Sequence, residues 1–130
     1  MKKLILLTIL FAATGIDAQQ KKLDSLLDEL NKHPQEDIVR LNLLIKISSE
    51  YNVVNPSKGI QASDNAIALA QQLKADEKLA LAYRNKALNI NSKGERELAL
   101  QWYNILYSQN LLWQEKILNR NQVWVRFRYK

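Results

Sequence analysis

Tyr83 to Tyr103 reads YRNKALNINSKGERELALQWY, and the fold is decided by how this stretch divides. Before its glycine, Tyr83, Ala87 and Ile90 recur at spacings of four and three. After it, Ala99, Trp102, Tyr103 and Leu106 do the same. Positions three and four apart share one face of a helix, so each run predicts an amphipathic helix. Gly94 suits the left-handed conformation that closes the first helix. Glu95 and Glu97 then fall where carboxylates complement the positive end of the second. Two helices joined by so short a turn must lie antiparallel, and the stretch predicts a helical hairpin.

Working outward, the same punctuation recurs. The hairpin's helices are expected over about Asp76 to Asn91 and Glu95 to Leu112, with Asp76 as a cap. Upstream, Asn55-Pro56 pairs a good cap with a residue preorganised for the first helical position. It separates a helix expected over Gln35 to Asn52 from an alanine-rich one over Pro56 to Leu73. Leu23, Leu26, Leu27 and Leu30 mark a short leading helix, Lys22 to Lys32, which His33-Pro34 stops. The expected organisation is a leading helix in 19–34, hairpins in 35–74 and 75–114, and a remainder in 115–130. The class is all-α: antiparallel helical hairpins stacked side by side.

The N-terminus carries its own signal. Lys2 and Lys3 precede an apolar run from Leu4 to Ala13, and Thr14 to Ala18 is small and polar. That order predicts an export signal in 1–18, with Gln19 as the first mature residue and a periplasmic destination. A retained N-terminal anchor is the alternative, although the apolar run falls short of the roughly 20 residues that span a bilayer. The chain has no cysteine, which excludes disulfides, thiolate metal sites and thiol catalysis.

The net charge of +6 invites a nucleic-acid partner. Its distribution argues otherwise. Lys116, Arg120, Arg126, Arg128 and Lys130 follow the last acidic residue, Glu115, whereas Gln19 to Glu115 balances at 12 basic against 12 acidic residues. The excess belongs to a tail and not to a face of the fold, so no nucleic-acid partner is expected. Beyond Glu115 the helical pattern gives way to Val123-Trp124-Val125-Arg126-Phe127-Arg128-Tyr129-Lys130, which alternates apolar and basic residues as a strand does. It reads as an incomplete third repeat, or as an edge strand or partner-binding tail. In the first case Ile117, Leu118, Val123, Trp124 and Val125 are the expected surface of self-association.

No constellation points to catalysis. His33 is the only histidine and sits beside a proline at a helix end. Asp24 with Asp28, and Glu36 with Asp37, lie on polar faces or at a helix start, where carboxylates are ordinarily solvated. Ser48 and Ser49 have no histidine near them in sequence. Phosphate-loop, zinc-helix and nucleophile-elbow motifs do not occur. The expectation is a non-enzyme without metal or cofactor.

The two hairpins resemble each other. Aligned by their turns, Ser48 pairs with Ala87, Gly59 with Ala99, Ser63 with Tyr103 and Ala66 with Leu106, at offsets of 39 or 40 residues. Ala87, Ile90, Gly94, Ala99 and Tyr103 together resemble the tetratricopeptide signature, with Tyr83 at the family's first-helix aromatic position. The first hairpin departs from it where Ser63 replaces an aromatic, and Lys86 stands where the family has an apolar residue. With the leader, the leucine-rich first helix and Asn55-Pro56-Ser57-Lys58-Gly59-Ile60, the chain is similar to the extracytoplasmic repeats of bacterial sensor histidine kinases.

The resemblance implies a short tetratricopeptide-like α-α solenoid that binds a protein or peptide, as the sensory or scaffolding half of a signalling ectodomain. By the same analogy, polar residues of inner helices contact ligands, which nominates Arg84, Asn85 and Asn89. Asparagine amides can hold a peptide backbone through both their donors and their acceptor. Trp102 and Tyr103 are the aromatic candidates for the same groove, although most of the aromatics, Trp113 among them, are expected to pack between helices.

Overall fold

The computed structural model describes residues 2–110, with side chains from Asp17 onward. The third-repeat start at Glu115 to Gln122 and the tail Val123 to Lys130 lie outside the described residues, as does Trp113. Within them the chain forms five helices and no strand: α1 Lys2–Lys32, α2 Ile38–Val54, α3 Pro56–Gln72, α4 Asp76–Ser92 and α5 over 96–110.

The ends of these helices follow from single residues. Pro34 closes α1. Asp37 caps α2, its carboxylate accepting the N–H groups of Val39 and Arg40. Asn55 is the entire connection between α2 and α3: its N–H donates to Tyr51 O, and its side chain accepts from Lys58 N at 3.1 Å. Pro56 then opens α3, where a missing N–H costs nothing. Lys74 and Gly94 close α3 and α4 in the left-handed region, at φ 54 and 88. Ala75 N donates to Ala70 O and Glu95 N to Ile90 O, which takes up the last carbonyls of each helix. Expectation and structure differ at three helix starts. α2 begins at Ile38 and not at Gln35, because Asp37 is its cap and Glu36 stays outside it. α1 begins far ahead of Lys22, because an apolar leader is as good a helix former as the amphipathic segment after it. α4 is capped by Ala75 without a side-chain hydrogen bond, which leaves Asp76 inside the first turn.

Side-chain pairs fix the directions of the helices. Lys22 meets Glu50 and Arg40 reaches Leu30 O, so α1 runs antiparallel to α2. Gln72 bonds Glu36, and α3 returns along α2. Lys86 pairs with Asp64, and α4 reverses α3. Asn85 reaches Ile45 O and Asn52 reaches Ser92, so α4 lies beside α2 and parallel to it, about 40 residues on.

Two apolar clusters occupy the gaps. Leu23 and Leu26 of α1 pack with Leu43, Ile47 and Tyr51 of α2 and Ala62 of α3. Leu41 and Leu44 pack with Ala66, Leu69 and Ala70 of α3 and Ala82 of α4. The alanines matter here because short side chains let helix axes approach closely.

Candidate functional site

The α2–α4 contact carries a polar seam. Asn85 Nδ2 donates to Ile45 O at 2.9 Å and to Ser48 Oγ at 2.8 Å. Ser48 Oγ donates in turn to Ile45 O. One turn on, Asn89 Nδ2 donates to Ser48 O at 2.9 Å and to Asn85 O at 2.8 Å. Asn89 is wholly buried and Asn85 nearly so. The geometry by which an asparagine could grip a bound peptide is thus realised within the chain, with α2 as the backbone that is held.

Asn89 Oδ1 accepts no N–H or O–H among the described residues. It lies against Gly59, where a β-carbon would stand 1.9 Å from it. The Cα–H of Gly59 therefore points at this oxygen, a weak contact that recurs between close helices. Ser63, one turn further along α3, is buried and donates to Gly59 O. An aromatic side chain at position 63 would have to share this buried corner, where the serine is wholly buried.

The other nominated residues are placed differently. Arg84 is exposed on α4. Trp102 is half-buried and stacks on Tyr83, with ring centroids 5.8 Å apart, holding α5 against α4. Lys86 Nζ stands 3.8 Å above the Trp102 ring and pairs with Asp64. A lysine thus fits at an apolar position: its stem is buried while its ammonium reaches a ring face and a carboxylate. Tyr103 is half-buried. The structure does not gather the five nominated residues into one site.

Beside the seam, the parallel helices α2 and α4 each carry an outward stripe that the sequence reading did not join into one face. Val39, Lys46 and Val53 lie along it on α2, and Glu77, Arg84 and Leu88 on α4. Val53 is 69% exposed and Val39 49%. The signal was present in sequence: Val39, Lys46 and Val53 repeat at seven, and that spacing keeps one face of a helix.

The titratable groups have structural occupations. The Asp37 carboxyl is held below its ordinary range, first by the Arg40 backbone N–H and then by His33 Nε2, which is 2.8 Å away. Lys32 is raised by its hydrogen bond to Asp28. Asp24 accepts from Gln20. Among the described residues no three histidine, aspartate or glutamate side chains are grouped as metal ligands, and no helix is long and apolar enough to cross a membrane. Comparison with known protein families, with curated proteins and with solved structures gave no match.

Proposed function

We propose that this chain is a non-catalytic protein- or peptide-binding module of the tetratricopeptide kind, exported to the periplasm, where it serves as a sensory or scaffolding element. The observation that carries the reading is the face shared by α2 and α4. There, exposed valines flank Lys46, and Arg84 and Leu88 stand on the neighbouring helix. Apolar side chains beside Lys46 and Arg84, with Glu77 near one end of the face, suit an extended segment whose acidic residues lie opposite those two cations. The parallel placement of α2 and α4, with α3 antiparallel between them in sequence, is the arrangement a stacked-hairpin solenoid requires.

Export is read from the leader itself, where Lys2 and Lys3 precede the apolar run Leu4 to Ala13. In the structure Asp17 and Ala18 are exposed, and Gln19 Nε2 donates to Glu50.

The test is to pan a random peptide library against the whole chain and against a Lys46→Glu/Arg84→Glu variant. Both residues are exposed, so the variant keeps its fold. Selection of acidic-apolar peptides that the variant no longer binds supports the reading. Peptides that bind both forms equally remove the face from consideration.

A second reading, self-association, is favoured by α5. Leu100 and Tyr107 stand 40 residues beyond Ile60 and Ile67, which are half-buried on α3, yet they are 60% and 66% exposed. Sedimentation of the whole chain across a concentration series distinguishes a monomer from a self-associating fragment.

A further inference from the structure

On the side of α2 opposite the face shared with α4, α1 and α3 run in the same direction. Near Tyr51 they meet: Leu23 and Leu26 share a core with Ala62. Towards Leu30, residues of both helices and of α2 line an open cleft of about 330 Å³. Its floor is Arg40 and Leu44, one wall is Leu30, and the other is Asn65, Ala68, Leu69 and Gln72, with Glu36 completing the lining.

Two opposite charges line this cleft without neutralising each other. Arg40 donates through Nη1 to Leu30 O at 3.2 Å and His33 O at 2.8 Å. Among the described residues it pairs with no carboxylate. Glu36 accepts from the neutral Gln72 amide at 3.2 Å and likewise has no cationic partner among them. The backbone carbonyls hold one edge of the guanidinium in place, which leaves its remaining N–H groups oriented for an anion at little entropic cost. Leu30, Leu44 and Leu69 give the same cleft an apolar part.

We propose that this cleft binds a free apolar α-amino acid. Its carboxylate meets Arg40, its ammonium meets Glu36, and its side chain lies against Leu30 and Leu69. A guanidinium is matched to a carboxylate in geometry as well as charge. The volume falls at the small end of the range for ligand sites, which suits a single amino acid. The site is separate from the peptide-binding face and does not depend on it.

The experiment is amide NMR of the whole chain titrated with L-leucine to ~10 mM, alongside isocaproate, which lacks the ammonium, and isoamylamine, which lacks the carboxylate. Arg40 also secures the end of α1, so the variants are placed elsewhere. Ala68→Trp fills the cleft from an exposed position on α3, and Glu36→Gln removes the negative charge. The expected result is saturable shifts at Leu30, Arg40, Leu44 and Leu69 with leucine, roughly threefold weaker binding in Glu36→Gln, and none in Ala68→Trp. Isocaproate binds more weakly than leucine to the parent chain and equally well to Glu36→Gln. The Lys46→Glu/Arg84→Glu variant, altered on the opposite face, binds leucine as the parent does. Absence of shifts with leucine, the same shifts in Ala68→Trp, or equal binding of leucine and isocaproate by the parent overturns the proposal.

Discussion

The carboxamide of Asn89 occupies the space that any side chain at position 59 would need, since a β-carbon there would meet Asn89 Oδ1 at 1.9 Å and Asn89 Cγ at 2.4 Å. Gly59 is required for its lack of volume and not for its backbone freedom, because it sits inside a regular helix.

Gly59→Ala forces α3 away from α4 and is expected to cost about 1–3 kcal/mol, the usual range for overpacking. Asn89→Ala frees the space but loses the bonds to Ser48 O and Asn85 O. The double variant should therefore be more stable than the two single losses add up to. Urea unfolding of all four forms measures this coupling, and strict additivity would show that the two residues do not meet.

Asn85→Ala leaves Ser48 Oγ and Ile45 O without their amide donor, for an expected loss of about 1–3 kcal/mol. Arg84→Ala, the adjacent exposed residue, should change stability by less than ~0.5 kcal/mol. Thermal melts of the two variants separate a buried structural role from a surface one.

Asp37 ties acidity to the start of α2. Its folded-state pKa is depressed, so the stabilisation it contributes is fully present above the unfolded value of about 4 and is lost as pH falls through the lower folded value. Asp37→Asn keeps a capping oxygen but cannot titrate. The melting temperature of the parent should fall more steeply than that of the variant as pH is lowered below about 4. Parallel curves would mean that the carboxylate is not held as described.

Lys74 and Gly94 do the same work at the ends of α3 and α4, both left-handed, but only one is a glycine. A β-carbon in that conformation costs roughly 1 kcal/mol. Lys74→Gly should therefore stabilise the chain by up to about that amount, and Gly94→Ala should destabilise it similarly, as read by chemical unfolding.

Trimming the N-terminus tests where the folded body starts. A chain beginning at Gln19 keeps Leu23 and Leu26 and should unfold at the same denaturant concentration as the whole chain. Leu23→Ala empties a fully buried site and should cost about 2–5 kcal/mol.

The all-helical class and the helix starts at Pro56 and Asp76 were legible because proline, asparagine and periodic leucines act locally. The burial of Asn85 and Asn89 was not. An asparagine on a helix carries no mark of whether it faces water or another helix; that is settled by Ser48 and Gly59, some 30 to 41 residues away. Lys86 ran against the apolar pattern for a related reason: its partners Asp64 and Trp102 come from two other helices. The Arg40–Glu36 cleft was hidden because nothing in the sequence says that Leu30 of α1 and Leu69 of α3 line one cleft with the start of α2.

The connection between α2 and α3 is Asn55 alone, whereas three residues, Lys93, Gly94 and Glu95, lie between α4 and α5. A joint of one residue has no slack. One extra residue there would turn α3 by about 100° about its own axis, carrying Ala66 and Ala70 away from the contacts they fill. The longer joint can absorb a change of length by reshaping its turn. The first hairpin behaves as a fixed hinge plate and the second as an adjustable one, so inserted sequence, such as a tag or a reporter, belongs at Lys93–Glu95 and not at Asn55.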